Sequence, residues 1–220
     1  MSTVVVDPGH GGTTTIGGSS PNNATGPTGL LEKNLTLDVS MRVAAKAVDL
    51  KVVLTRSTDT NLGLADRAGV AKSTKADAFV SVHFNGWPSQ DVQGTETYLH
   101  EKGSKASLAL AKAVQANVLG ATGLSDRGVK RAAFAVLNPD YHDAATAACL
   151  VEISFLTQAS EETRLKDPTY LDALAESILA GMNQFLGLSR AEIESTASDR
   201  VESIPLSPGT EDAASANLRP

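Results

Sequence analysis

Six short apolar runs, alternating with helical patterns, constrain this chain more than any other feature. They are "TVVVD" (3–7), "KVVLT" (51–55), "AFVSVHF" (78–84), "GTETYLH" (94–100), "AFAVL" (133–137) and "ACLVEISF" (148–155). Several are apolar on both faces, as strands covered by helices on both sides must be. Between them, "EKNLTLDVSMRVAAKAV" puts Leu35, Val39, Val43 and Val48 on one stripe. "LADRAGVAKSTKA", "SKASLALAKAVQANVLGA" and "PTYLDALAESILAGMNQFLG" behave similarly. In the last of these, Pro168 suits a first turn and Gly187 a C-terminal stop. This alternation predicts an α/β fold: a single layered domain with a twisted, largely parallel sheet of about six strands and helices on both faces.

The pattern supports one domain over residues 1–189. Residues 190–220 are rich in Ser, Ala, Pro and acids without an apolar period, and are expected to form a flexible linker or disordered tail. Composition excludes several classes. A net charge of −6 argues against duplex nucleic acid, which needs a basic face. A single cysteine, Cys149, excludes an internal disulfide and a metal site of several thiolates. No apolar run approaches the ~20 residues of a membrane span. The N-terminus lacks the basic-then-apolar pattern of a secretory leader, so synthesis in the cytoplasm is expected.

Ligands of open α/β sheets bind beyond the carboxyl ends of the strands. His10, in "VVVDPGHGG", lies just past the first run, His83 ends the third, and Glu152 lies near the end of the last. Glu32 begins the first long helix, whose first turn faces the same edge. Taken singly, a histidine is most often a hydrogen-bonded structural residue, and Glu32 is ordinary helix-dipole chemistry. Glu152 is harder to place, because an unpaired glutamate in an apolar strand costs several kcal/mol to bury. Two imidazoles and one carboxylate are a common set for catalytic zinc. A second carboxylate, not a ligand, could carry the water's proton to a leaving amine. Glycines around His10 would leave room for metal and substrate. Competing motifs are weak: there is no P-loop, and Thr14 stands where a dinucleotide fingerprint needs its third glycine. Non-haem iron usually takes a His and an acid close together, whereas these ligands are dispersed.

These residues resemble the zinc-dependent N-acetylmuramoyl-L-alanine amidases of the type-3 family, found in autolysins and phage endolysins. The motifs are "DPGHGG" (7–12), "GLLEKNLTLDVS" (29–40), "TRSTD" (55–59), "LADRAGVAK" (64–72), "ADAFVSVHFNG" (76–86), "DRGVKRAAFAVL" (126–137) and "LVEISFLT" (150–157). Phe84, Ser154 and Gln158 depart from the family's usual small residue, Gly or Ala, and Asn. The resemblance implies cleavage of the amide between N-acetylmuramic acid and L-alanine of the stem peptide. It implies one zinc per chain held by His10, Glu32 and His83, with Glu152 activating water. Arg127 and Lys130 either meet substrate carboxylates or are solvated charges. Asn85 and Trp87 follow His83 and could line the groove, although a lone Trp can equally pack on the surface. His100, His142 and Cys149 are expected to be structural.

The partner is then peptidoglycan, with no nucleic acid and no membrane span. A monomeric endolysin, acting on a host wall and leading to a downstream wall-binding domain, is the favoured reading. Another zinc amidohydrolase or peptidase of peptidoglycan, or a non-catalytic wall-binding module, is the alternative.

Overall fold

The computed structural model describes residues 1–89 and 91–187; the tail expected at 190–220 lies outside them. Its strands are β1 (Thr3–Pro8), β2 (Lys51–Leu54), β3 (Ala78–Asn85), β4 (Thr95–His100), β5 (Asp126–Ala132) and β6 (Ala147–Phe155). They form one sheet in the order β2-β1-β3-β6-β4-β5. Every neighbouring pair is parallel except β4 with β6. The three central strands β1, β3 and β6 are buried along almost their whole length, which is why they are apolar on both faces.

The helices are α1 (Glu32–Lys46), α2 (Leu64–Thr74), α3 (Lys105–Thr122), α4 (Ala159–Arg164) and α5 (Pro168–Gly187). One face of the sheet packs Val4, Val6, Val80, Val82 and Val151 against α1, α3 and α5. On the other, Val5, Phe79, Tyr98 and Leu150 meet α2 and a 3₁₀ turn at Ala135–Leu137. Alternate residues of each strand therefore feed two separate cores. Phe84, one of the family departures, is fully buried in the first core.

The run "AFAVL" is not a strand. Its Val136 and Leu137 plug the second core from the 3₁₀ turn. The strand is the preceding polar segment "DRGVKRA", which pairs only with β4 at the sheet edge. Its residues are exposed or half-buried up to Ala132, so alternation of apolar residues does not reveal it. Val48 leaves the predicted stripe: α1 ends at Lys46, and Val48 is 79% exposed. The six-residue α4 is too short to show a period. Gln158 caps it by accepting from the Glu161 amide at 2.6 Å, which gives that departure a structural role.

Two irregularities mark the carboxyl edge of the sheet. Between β3 and β6 the register passes from His83↔Glu152 to Asn85↔Phe155, leaving one extra residue on β6. Between β4 and β5 it passes from Thr95↔Asp126 to Glu96↔Gly128, leaving Arg127 unmatched. Bulges of this kind re-aim side chains beside functional sites.

Candidate active site

The loop after β1 sets His10. His10 has φ 60°, a left-handed conformation uncommon outside glycine, and the glycines beside it take φ 135° and 63°. Two buried arginines hold this turn by its carbonyls. Arg67 donates to Pro8 O at 2.7 Å and His10 O at 2.7 Å, and Arg56 donates to Pro8 O at 3.0 Å and Gly9 O at 2.8 Å. Arg67 is charge-balanced by Asp7 at 2.8 Å, itself bonded by Thr55 and Ser81. Neither arginine was singled out from the sequence, although both stand in the scaffold stretches "TRSTD" and "LADRAGVAK". A polar residue at helical spacing signals a solvated face unless the fold is known.

Gly9 has a steric reason to be glycine. A Cβ there would lie 2.3 Å from Cε1 and 2.5 Å from Nε2 of the His83 ring. The two imidazoles meet edge to face with centroids 4.9 Å apart. Glu32 enters from the first turn of α1. Its Oε1 lies 3.0 Å from His83 Nδ1 and 3.2 Å from His10 Nε2, and it also accepts from the Phe84 amide at 3.1 Å. Its Oε2 accepts from the Ala24 amide at 2.8 Å. His10 Nδ1 lies 3.1 Å from Ser20 O, which orients the ring so that Nε2 faces Glu32.

One ligand atom from each of His10, Glu32 and His83 lies within 4.8 Å of the others, and all three residues are buried. His10 Nε2 has no hydrogen-bond partner among the described residues. Three buried donors converging on one point, one of them unsatisfied, fit a divalent metal ion. Burial opposes ionisation of Glu32, yet the charge of the facing His10 ring, with the hydrogen bond from His83 behind it, holds its carboxyl below the usual range. Burial lowers the His83 imidazole. Burial would also lower His10, but the Glu32 carboxylate outweighs it and raises that ring.

Glu152 stands beside this set, register-paired with His83 on β3 and with Glu96 on β4. Its Oε2 is buried without a hydrogen-bond partner among the described residues. Burial first, then the charges of Glu32 and Glu96, push its carboxyl well above the ordinary value. A cleft of about 560 Å³ opens over these groups. Gly18, Ser19 and Ser20 form one wall, and Phe134 and Val136 form another.

The loop from Gly11 to Gly29 is tied to its surroundings by hydrogen bonds. Gly11 bonds Pro21 O at 3.0 Å, and Ile16 and Ser19 bond each other. Asn61 donates to Thr14 O and Ser19 O at 2.9 and 2.7 Å, and Lys33 donates to Gly12 O at 2.8 Å.

The remaining candidates divide. Arg127 bonds Glu96 at 2.7 Å, Lys130 bonds the same oxygen, and Asn85 and the Tyr98 hydroxyl reach the other oxygen at 2.8 and 3.0 Å. Glu96 was missed by sequence reasoning; its only signal is an acid within a buried strand. Trp87 is 48% exposed, with its amide donating to Thr157 Oγ1 at 3.0 Å. His142 Nε2 lies 2.8 Å from Val136 O, its ring against Phe79, while His100 Nδ1 accepts from the Lys102 amide. Both rings are thus hydrogen-bonded within the fold, and Cys149 is buried.

Residues 4–184 match the family profile described as N-acetylmuramoyl-L-alanine amidase. The chain belongs to this amidase family. LytC of Bacillus subtilis (strain 168), an N-acetylmuramoyl-L-alanine amidase, is 38% identical over 182 residues, 81% of this chain. The chain spans 34% of LytC's length. The endolysin of Bacillus phage SPP1 is 33% identical, with 86% of this chain and 68% of that protein covered. Among solved structures, the catalytic domain of the amidase CwlV from Bacillus (Paenibacillus) polymyxa var. colistinus superposes with a TM-score of 0.75 at 34% identity. That match covers 86% of this chain and all of the other. The α/β sheet with helices on both faces is thus the fold of amidase catalytic domains.

Proposed function

We propose that this amidase hydrolyses the bond between the lactyl group of N-acetylmuramic acid and L-alanine in peptidoglycan. One zinc ion would be held by His10, Glu32 and His83, and Glu152 would carry the proton. The observation behind this reading is the buried convergence of the three donor atoms beside a carboxyl with one buried oxygen unpartnered among the described residues. When bound, zinc supplies a Lewis acid and a nucleophilic water at neutral pH. Glu152 accepts the proton of the attacking water and returns it to the leaving L-alanine nitrogen. Its raised affinity for a proton suits the second transfer. The wall around Ser19 and Ser20 restricts water on one side.

Two cations, Arg127 and Lys130, share the single carboxylate of Glu96, which leaves one positive charge in excess at the rim. Both side chains are partly exposed, so they can meet the carboxylates of the stem peptide. Asn85 is held by Glu96 and lies under this rim rather than in the groove. The place of action is the cell wall. The relatives include both bacterial amidases and a phage endolysin. No helix among the described residues is long and apolar enough to cross a membrane. A wall-binding module without catalysis would have no use for Glu152.

The test is elemental analysis with product identification. Zinc-reconstituted protein should carry one zinc per chain and release new L-alanine amino termini from purified peptidoglycan. Less than about half an equivalent of zinc would overturn the metal assignment. New termini other than L-alanine would mean a peptidase.

A further inference from the structure

A second cleft opens beside Ala24, toward the α1 face of the sheet, whereas Lys130 lies over Tyr98 on the other face. Asn23 and Thr25 line it on one side, Thr157 closes its base, and Trp87 and Pro88 form an apolar wall. The cleft adjoins the metal set through Ala24. This residue lines it, donates its amide to Glu32 Oε2, and accepts from the Glu32 amide at 3.1 Å. Ala24 packs in the core on the α1 face of the sheet. Tyr98, beneath Lys130, belongs to the core on the other face. The sheet edge carrying His83 and Glu152 runs between them.

The two sides differ in chemistry. The Arg127–Lys130 rim carries charge, whereas no charged residue lines the second cleft among the described residues. Its surface is one broad aromatic plane, half exposed, facing short hydroxyl and amide side chains. The Trp87 backbone is held by the bond from its amide to Thr157 Oγ1. A neutral ring with an apolar C–H face and a hydroxylated rim matches both halves. A peptide bearing carboxylates matches the other side.

We infer that the cleft between Trp87 and the 23–25 loop is a saccharide subsite, which seats the glycan strand while the stem peptide extends toward Arg127 and Lys130. This deepens the proposed function and rests on it for the identity of the glycan. Trp87 is then a specificity-determining residue whose contribution lies in binding, not in bond cleavage.

Trp87 is the only tryptophan in the chain, so intrinsic fluorescence reports on this cleft alone. The experiment titrates the full chain with peptide-free glycan strands and, separately, with glycan-free stem peptide. Glycan strands should give a saturable spectral shift, and the peptide should give none. By calorimetry, Trp87→Ala should weaken glycan binding about tenfold, the upper end of what one aromatic contact contributes, with Trp87→Phe in between. On whole peptidoglycan, Trp87→Ala should raise KM by a similar factor and leave kcat and zinc content near wild type. Binding needs no turnover. A glycan-dependent shift in a protein that released no L-alanine termini would support the subsite and sink the amidase assignment. No shift with glycan in an active amidase, a shift with peptide instead, or a fall in kcat at unchanged KM would each overturn the subsite.

Discussion

Glu96 and Glu152 face each other across β4 and β6, on the same side of the sheet and equally hidden from solvent. Glu96 receives four donors, from Asn85, Tyr98, Arg127 and Lys130. Glu152 has a buried oxygen with no partner among the described residues. Burial opposes ionisation of both. Hydrogen bonds from Lys130 and Arg127 overcome it at Glu96 and hold that carboxyl below its ordinary range, while at Glu152 nothing does. Neighbouring acids in one sheet thus divide into one that builds the rim and one left uncompensated for chemistry. Functional sites carry local violations of good packing in this way, and the rest of the fold supports them.

The largest effect should come from Glu152→Gln. Turnover should fall by ~10²–10⁴-fold, toward the upper end because both proton transfers are lost. Zinc content should stay at one per chain, since the ligand set is complete without it. Glu32→Gln should be inactive for the other reason, with little metal retained. A Glu152→Gln enzyme keeping more than about a tenth of wild-type turnover would mean that another residue carries the proton.

The Gly9→Ala variant follows. Its Cβ would collide with the His83 ring at 2.3 Å, so the ring must move. Zinc affinity should fall by about 10–100-fold, as when other supports of a ligand are removed. Undiminished affinity in a competition titration with a chelator would show that the ring can shift without loss.

Stability sharpens the contrast between the two acids. Glu96→Gln removes the counter-charge of two cations and should cost about 1–3 kcal/mol in denaturant melts. Glu152→Gln should leave stability unchanged or raised, because no bonded partner is lost. If both variants lost the same amount, the distinction drawn from their partners would fail.

The smallest effect is in pH. The folded Glu96 carboxyl titrates below its ordinary value of ~4.3. Its stabilisation is therefore present above that value and disappears as pH falls through the folded pKa. Wild type and Glu96→Gln should differ most near neutrality and converge in acid. A gap that persisted at low pH would assign the effect to packing instead of charge.

Much of this was legible in the sequence. Buried parallel strands must be apolar on both faces, so β1, β3 and β6 announced themselves, and His10, His83 and Glu152 could be placed at their carboxyl ends. The edge strand β5 could not be found this way, because its faces are mostly exposed or half-buried and carry no such requirement. Nor could Glu96, Arg56 and Arg67, whose buried partners lie up to 60 positions away along the chain. Sequence period tells which face of an element is covered, a property of that element alone. Which polar side chains meet beneath that cover is decided by register, by the two bulges at the sheet edge and by the path of the loops. Those exist only once distant segments have packed, and they are what separates a carboxylate with four donors from one with none.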